Sequence, residues 1–258
     1  MGISSNSFYC LLLTACSIVF FQNTCIAQKK TKPVTTRVST GKFEVGFAGG
    51  LSVNRFSRSQ PQTGFNVGYT TGLSFGYRVY NGFSVQAEVN FLQQGGQLVT
   101  FKDDTQLGLP ESFSTKNVKN SSISLNSLEF PLLFKYTFPI KQTWKPAVYI
   151  GGSYAYNYNA TDNYQKTGNL LPGEDLIATV TDRQNSTHLY NKGRVNLVLG
   201  GSVQLPLYKR FKLLVDFRYL QGLSPARENY SYIDKVGFGS DIRSNSFISK
   251  LGIVLPLK

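Results

Sequence analysis

From Asn66 to Val79 the chain alternates between two kinds of side chain. Val67, Tyr69, Thr71, Leu73, Phe75, Tyr77 and Val79 are nearly all apolar, while Asn66, Gly68, Thr70, Gly72, Ser74, Gly76 and Arg78 are small or polar. A strand sends successive side chains to opposite faces, so a period of two over this length describes a strand with one greasy face and one polar face. The pattern recurs from Phe43 to Val53, Phe83 to Phe91, Leu128 to Phe138, Val148 to Tyr158, Val195 to Leu205, Phe211 to Tyr219 and Leu251 to Leu257, which makes eight strands. Composition agrees: nine Ala and one Met stand against 15 Tyr and 19 Phe, a balance that favours strands and excludes an all-helical fold.

The connections set the architecture. The second and third strands meet at Asn81-Gly82, a tight-turn dipeptide; the fourth and fifth meet across Pro139 to Lys145, and the sixth and seventh across Pro206 to Arg210. The remaining connections, roughly 55 to 65, 101 to 122, 161 to 189 and 224 to 241, are longer. Short and long alternate, so all long connections fall at one end of an up-and-down meander, and an even strand count returns both termini to the other end. The expectation is an all-β, eight-stranded antiparallel up-and-down transmembrane β-barrel with short periplasmic turns and long extracellular loops.

A barrel of this size also exists as a soluble carrier with an apolar interior, and the polar faces discriminate between the two. They carry Glu44, Arg78, Glu88, Glu129, Lys135, Arg194, Asp216, Arg218 and Lys250, interleaved with glycines and serines. Opposite charges among small residues suit a narrow lumen, where an unpaired charge is expensive. The Phe, Tyr, Leu and Val face then meets lipid, with aromatic residues near the strand ends as girdles. These nine residues are the candidate lumen charge network. Two readings stay open for it: a salt-bridged plug, or a narrow ion path.

The ends carry other signals. Phe8 to Phe21 is an apolar run of signal-peptide length, and Thr24-Cys25-Ile26-Ala27 suits cleavage after Ala27, so residues 1–27 read as a signal peptide. Leu13-Thr14-Ala15-Cys16 is the competing lipoprotein box, which would lipidate Cys16. With cleavage after Ala27, Cys10, Cys16 and Cys25 all leave, and no thiol remains for a disulfide or a zinc site. Residues 28–42 form a basic periplasmic tether of charge +5, and 43–258 form the barrel. The chain's net charge of +13 is concentrated in the tether and in Lys141, Lys145, Lys209, Arg210 and Lys212 of the short turns. That placement points to membrane lipids and periplasmic or outer-membrane envelope proteins as partners, and away from nucleic acid.

No catalytic set is legible. The single His, His188, sits in a long connection beside Asp182, Arg183, Ser186 and Thr187, and no nucleophile-elbow, zinc-protease or phosphate-loop motif occurs. Asp103-Asp104, Glu174-Asp175 and Asp182 lack the spacing of a calcium loop, so no metal and no cofactor are expected.

Several segments resemble the small PorT-like outer-membrane β-barrel family. They are the opening strand Glu44 to Ser52, the Gly72-Leu73-Ser74-Phe75-Gly76-Tyr77 strand before a short turn, Leu128-Glu129-Phe130-Pro131-Leu132-Leu133-Phe134-Lys135-Tyr136, and Gly151-Gly152. The resemblance covers about 43 to 258 and implies a cell-envelope barrel. Its chain end, Leu255-Pro256-Leu257-Lys258, departs from the aromatic terminus of many outer-membrane barrels. The reading that follows is a non-enzymatic structural or interaction protein. A component of an envelope secretion apparatus, as PorT itself is, and a narrow pore are the alternatives.

Overall fold

Strands that alternate in polarity can bury one face only by closing on themselves or by stacking, and this chain closes. The computed structural model describes residues 41–57, 64–97, 118–140, 143–169, 177–208, 210–230 and 240–257. The expected signal peptide with Cys16, the expected tether before residue 41, and Lys141, Lys209, Asp103-Asp104 and Glu174-Asp175 lie outside the described residues. The strands are β1 (Phe43–Ser57), β2 (Asn66–Tyr80), β3 (Phe83–Gln97), β4 (Val118–Thr137), β5 (Lys145–Asn169), β6 (Ile177–Asn185), β7 (Gly193–Tyr208), β8 (Phe211–Gly222), β9 (Arg227–Tyr230) and β10 (Ser240–Leu257).

Eight of them form an antiparallel ring in the order β1-β2-β3-β4-β5-β7-β8-β10. The ring closes by pairing β1 with β10, continuously from Phe43↔Leu257 to Ser57↔Arg243. Among the described residues there is no α-helix, only a 3₁₀ turn at Thr187–Leu189. The expected eight-stranded barrel is therefore the observed one, with β6 and β9 standing outside the ring, on β5 and β10 respectively.

Those two strands mark where the sequence reading fell short. The segment 161–189, expected to be a connection, is largely a hairpin: β5 runs on to Asn169 and β6 returns along it, from Thr161↔Asn185 to Asn169↔Ile177. Likewise β9 and the first residues of β10 occupy the stretch expected to connect 224 to 241. The reason is chemical. Alternation exists only where one face meets lipid, and from Thr161 to Thr167 the sequence is polar at odd and even positions alike, Thr161, Asp162, Asn163, Gln165, Lys166 and Thr167. Backbone pairing continues there while the sequence signal stops.

Within the ring the barrel is inside out relative to a soluble one. Phe47, Leu51, Phe75, Phe134 and Ile150 are exposed on the outer face, whereas Ser52, Asn54, Glu88, Asn90, Gln94 and Arg218 are buried inside. The soluble carrier with an apolar interior is excluded by this placement. On β1 the outward apolar series runs from Phe43 to Val53. At roughly 3.3 Å per residue and a tilt near 40°, such a series spans about 25 Å, the height of an outer-membrane apolar band. Rings pair along it: Phe43 with Tyr77 at 5.0 Å, Phe83 with Tyr136 at 4.7 Å, and Tyr69 with Phe91 at 5.2 Å.

Two sequence features shape the wall. Gly82 has φ +83° in the β2–β3 turn, a conformation that disfavours any side chain, and its carbonyl accepts the Thr137 N–H at 2.7 Å. Pro131, which has no N–H to donate, sits within β4. There the β3–β4 register passes from Ala87↔Leu132 to Asn90↔Glu129, so the ladder opens locally beside Glu88.

A closed cylinder has no edge from which to unravel, so unboiled protein is expected to migrate differently from boiled protein on a detergent gel. Phe75→Arg, on the outer face, should cost roughly 2–4 kcal/mol in assembly, and Ser74→Arg, on the inner face, much less. Equal tolerance in a membrane-assembly assay would contradict the assignment of faces.

Candidate functional site: the charged lumen

Inward alternation delivers Glu88 from β3, Asp216 and Arg218 from β8, and Lys250 from β10 to one level of the lumen, all buried. The guanidinium of Arg218 bridges the carboxylates: Nη1 and Nη2 donate to Glu88 at 2.9 and 3.1 Å, and Nε donates to Asp216 at 2.8 Å. The planar fork suits this task, because it satisfies two acids at fixed angles where an ammonium could not. Lys250 Nζ adds a contact to Glu88 at 3.3 Å. Gln86 and Asn90 donate to the Glu88 carboxylate at 2.6 and 2.9 Å, and the Tyr149 hydroxyl donates to the second Asp216 oxygen at 2.8 Å. Two acids and two bases leave the quartet neutral, which is what a desolvated site requires.

Tyr149 also places its ring 5.5 Å from the Arg218 guanidinium. It reaches that position because β7 carries Gly200, where an added Cβ would lie 2.4 Å from the Tyr149 hydroxyl oxygen. Around it, Leu92, Leu133, Val198, Leu220 and Ile248 complete a buried apolar cluster inside the barrel.

The other candidates are not drawn into this quartet. Glu44 sits toward the short-turn end, 2.8 Å from Lys212 and 3.7 Å from Arg78, whose side chain is 42% exposed at the mouth. Lys212, expected to lie in a turn facing headgroups, is instead an inward residue of β8, because Phe211 and Leu213 on either side take the outer face. Lys135 is buried and donates to Gln86 at 3.4 Å, without an ion pair among the described residues. Arg194 is also buried without one. It donates to Gln94 at 2.7 Å and to Asn157 at 2.8 and 3.2 Å, and Gln94 in turn donates to Ser246 at 2.7 Å. Glu129 accepts from Ser153 at 2.6 Å, and the Ser153 oxygen accepts from Asn196 at 3.1 Å. The nine candidates thus fall into a central quartet, a mouth group and three residues held by neutral partners.

Sequence reasoning passed over Tyr149, Gln86, Asn90, Gln94, Asn157 and the inward Leu92, Leu133, Val198, Leu220 and Ile248. The available signal was phase: in Leu132-Leu133-Phe134 and Leu197-Val198-Leu199 the middle residue occupies the inward position although it is apolar. Toward the long-connection end, Phe56, Ile123, Leu125, Ala160, Tyr190, Ala226 and Ile242 form a second apolar cluster. His188 is exposed in its 3₁₀ turn, and among the described residues no three His, Cys, Asp or Glu side chains converge as a metal set.

A family model described as outer membrane protein beta-barrel domain matches residues 26–227. No curated protein matches the chain. Among solved structures it is similar to Neisserial surface protein A, with 16% identity over 84% of this chain and 98% of that one and a TM-score of 0.41. It is also similar to the outer membrane protein OprG from Pseudomonas aeruginosa, with 8% identity over 83% and 96% and a TM-score of 0.46. Ail, the attachment invasion locus protein of Yersinia pestis, gives 11% identity over 83% and 99% and a TM-score of 0.36.

Removing the phenol tests the geometry of the quartet. Tyr149→Phe leaves one Asp216 oxygen without its donor and should lower stability by about 1–3 kcal/mol, read as an earlier thermal gel shift. An unchanged midpoint would detach Tyr149 from the quartet.

Proposed function

We propose a non-enzymatic structural and interaction role for this chain, which belongs to the outer membrane protein beta-barrel domain family and is an integral protein of the outer membrane. In this reading the lumen is a plug, the long connections face outward and present the interaction surface, and residues 28–42 tether the barrel on the periplasmic side. The observation that carries the plug is the Arg218 bridge between Glu88 and Asp216 at 2.8–3.1 Å inside a buried apolar collar. The interior of an eight-stranded barrel is about filled by side chains, and at the level of the quartet the charges satisfy one another and leave little to draw a hydrated ion. A conducting barrel needs those same charges solvated.

Within this class, a component of an envelope secretion apparatus is the finer reading. It is supported by the resemblance of Leu128 to Tyr136 to the PorT-like segment, and by the concentration of +5 in the tether, where periplasmic proteins and phospholipid headgroups are met. Chemical cross-linking from the tether in native membranes tests it. Recovery of a defined envelope complex supports the reading, and cross-links to lipid alone would sink it.

Glu88→Gln separates plug from pore. It leaves Arg218 and Lys250 with one carboxylate fewer in a dry site, and breaking such a cluster costs on the order of 3–5 kcal/mol. The thermal gel-shift midpoint should fall while planar-bilayer conductance stays at baseline. Unchanged stability with a shift of ion selectivity toward anions would place the protein among channels.

A further inference from the structure

Along the ring strands of the outer face, from the short-turn rim upward, every outward position on the described residues is uncharged until one level is reached. There the first outward charges appear, Arg55 on β1 and Arg243 on β10, the two strands that close the barrel. Their register is Arg55↔Asn245 and Ser57↔Arg243, so the two arginines are diagonal neighbours on one face. Diagonal pairs lie about 7–8 Å apart at the backbone, within reach of a shared ligand for side chains this long. Below them the same strands present Val53, Leu51, Phe247 and Leu251, all exposed. Beside them Phe65 holds the Arg55 guanidinium 5.5 Å from its ring centre. Among the described residues of these two strands one acid stands near, Asp241, two residues from Arg243 along β10 on the side away from the apolar band; it accepts the Asn229 N–H at 3.4 Å.

We infer that Arg55 and Arg243 form a binding site on the lipid-facing wall for the phosphate of an acylated, phosphorylated glycolipid of the outer leaflet. Acyl chains would lie on the Val53–Phe247 surface, and the phosphate would meet two guanidiniums at the depth where apolar wall gives way to polar. Arginine suits this role because its planar donors match phosphate oxygens in pairs, and because it tolerates the partly dry interface better than lysine. The asymmetry supports a local site over a general charged rim. Near the same end of the neighbouring strands, Phe65 immediately precedes β2, β3 presents Gln93, β4 presents Asn126 and β8 presents Gln221, none charged. The choice of the outer leaflet rests on the outward orientation of the long connections proposed above.

Native mass spectrometry of the full chain in detergent tests the site. The probes are bis-phosphorylated lipid A, its dephosphorylated form, phosphatidylglycerol and inorganic phosphate. Wild-type protein should retain bis-phosphorylated lipid A roughly tenfold or more better than the R55Q/R243Q variant. The K42Q/R210Q variant, with the same charge loss at the exposed opposite rim, should retain it like wild type. Equal retention by wild type and R55Q/R243Q, equal loss in both variants, equal binding of the dephosphorylated lipid, or displacement by inorganic phosphate would each overturn the site. A preference for phosphatidylglycerol through the same two arginines would overturn the glycolipid assignment and, separately, the outward orientation. The plug reading is untouched by any of these outcomes, because the two arginines face away from the lumen.

Discussion

The pairing of β1 with β10 is the contact on which the rest of this molecule depends. In a bilayer every backbone N–H and C=O must find its partner inside the protein, so a sheet can cross only if its first and last strands meet. Here they meet over fifteen residue pairs, Phe43↔Leu257 to Ser57↔Arg243, although they lie at opposite ends of the described chain. Closure then fixes everything else. It divides each strand into a face that lipid must accept and a face that shares a space only wide enough for side chains. Phe, Leu and Val take the first, and Ser, Asn, Gln and the ionised residues take the second, relieved by a minority of inward Leu, Val and Ile.

What the lumen does with its charges is a compromise between cost and uniqueness. A buried ion cluster gains little over a well-packed apolar core of the same volume, but removing one member leaves the others stranded. The wall is adapted to the cluster at two points. Gly200 leaves room for the Tyr149 phenol against Asp216, and Pro131 interrupts the β3–β4 ladder next to Glu88. Arg194, by contrast, contacts no carboxylate among the described residues and is held through Gln94 and Asn157, so neutral amides serve as its solvent. The same guanidinium chemistry recurs on the outside at Arg55 and Arg243, where the phosphate of a lipid replaces the carboxylate of the chain.

The ring was legible in the sequence because its signal is physical: wherever lipid touches one face and the lumen the other, side chains must alternate. The eight strands and the outward phase of Phe75, Phe134 and Phe217 follow from that alone. Beyond the lipid the contrast vanishes, and with it the signal for β6 and for the far ends of β4 and β5, although their backbones still pair, with register shifts at Asn126/Ser127 and Val118/Asn120. The inward phase of the charged residues was legible, but not how they divide or which of them meet. Glu88 and Arg218 are 130 residues apart, and what brings them together is the stagger of the strands around the ring, a property of no single segment. Lys212 shows the smaller error of reading a strand's first residues as a turn. Tyr149 shows that an inward aromatic in a Tyr-rich strand is masked by its outward neighbours.

The central claim is that Arg218 and Glu88 compensate each other across a dry lumen, and a double-mutant cycle measures that directly. Unfolding free energies in detergent would be compared for wild type, Glu88→Gln, Arg218→Gln and the double substitution. Direct compensation predicts that the double variant is less destabilised than the sum of the singles, by about 1–3 kcal/mol. Additive losses within about 0.5 kcal/mol, the behaviour of independent sites, would mean that water or other groups already solvate both charges, and would contradict the account.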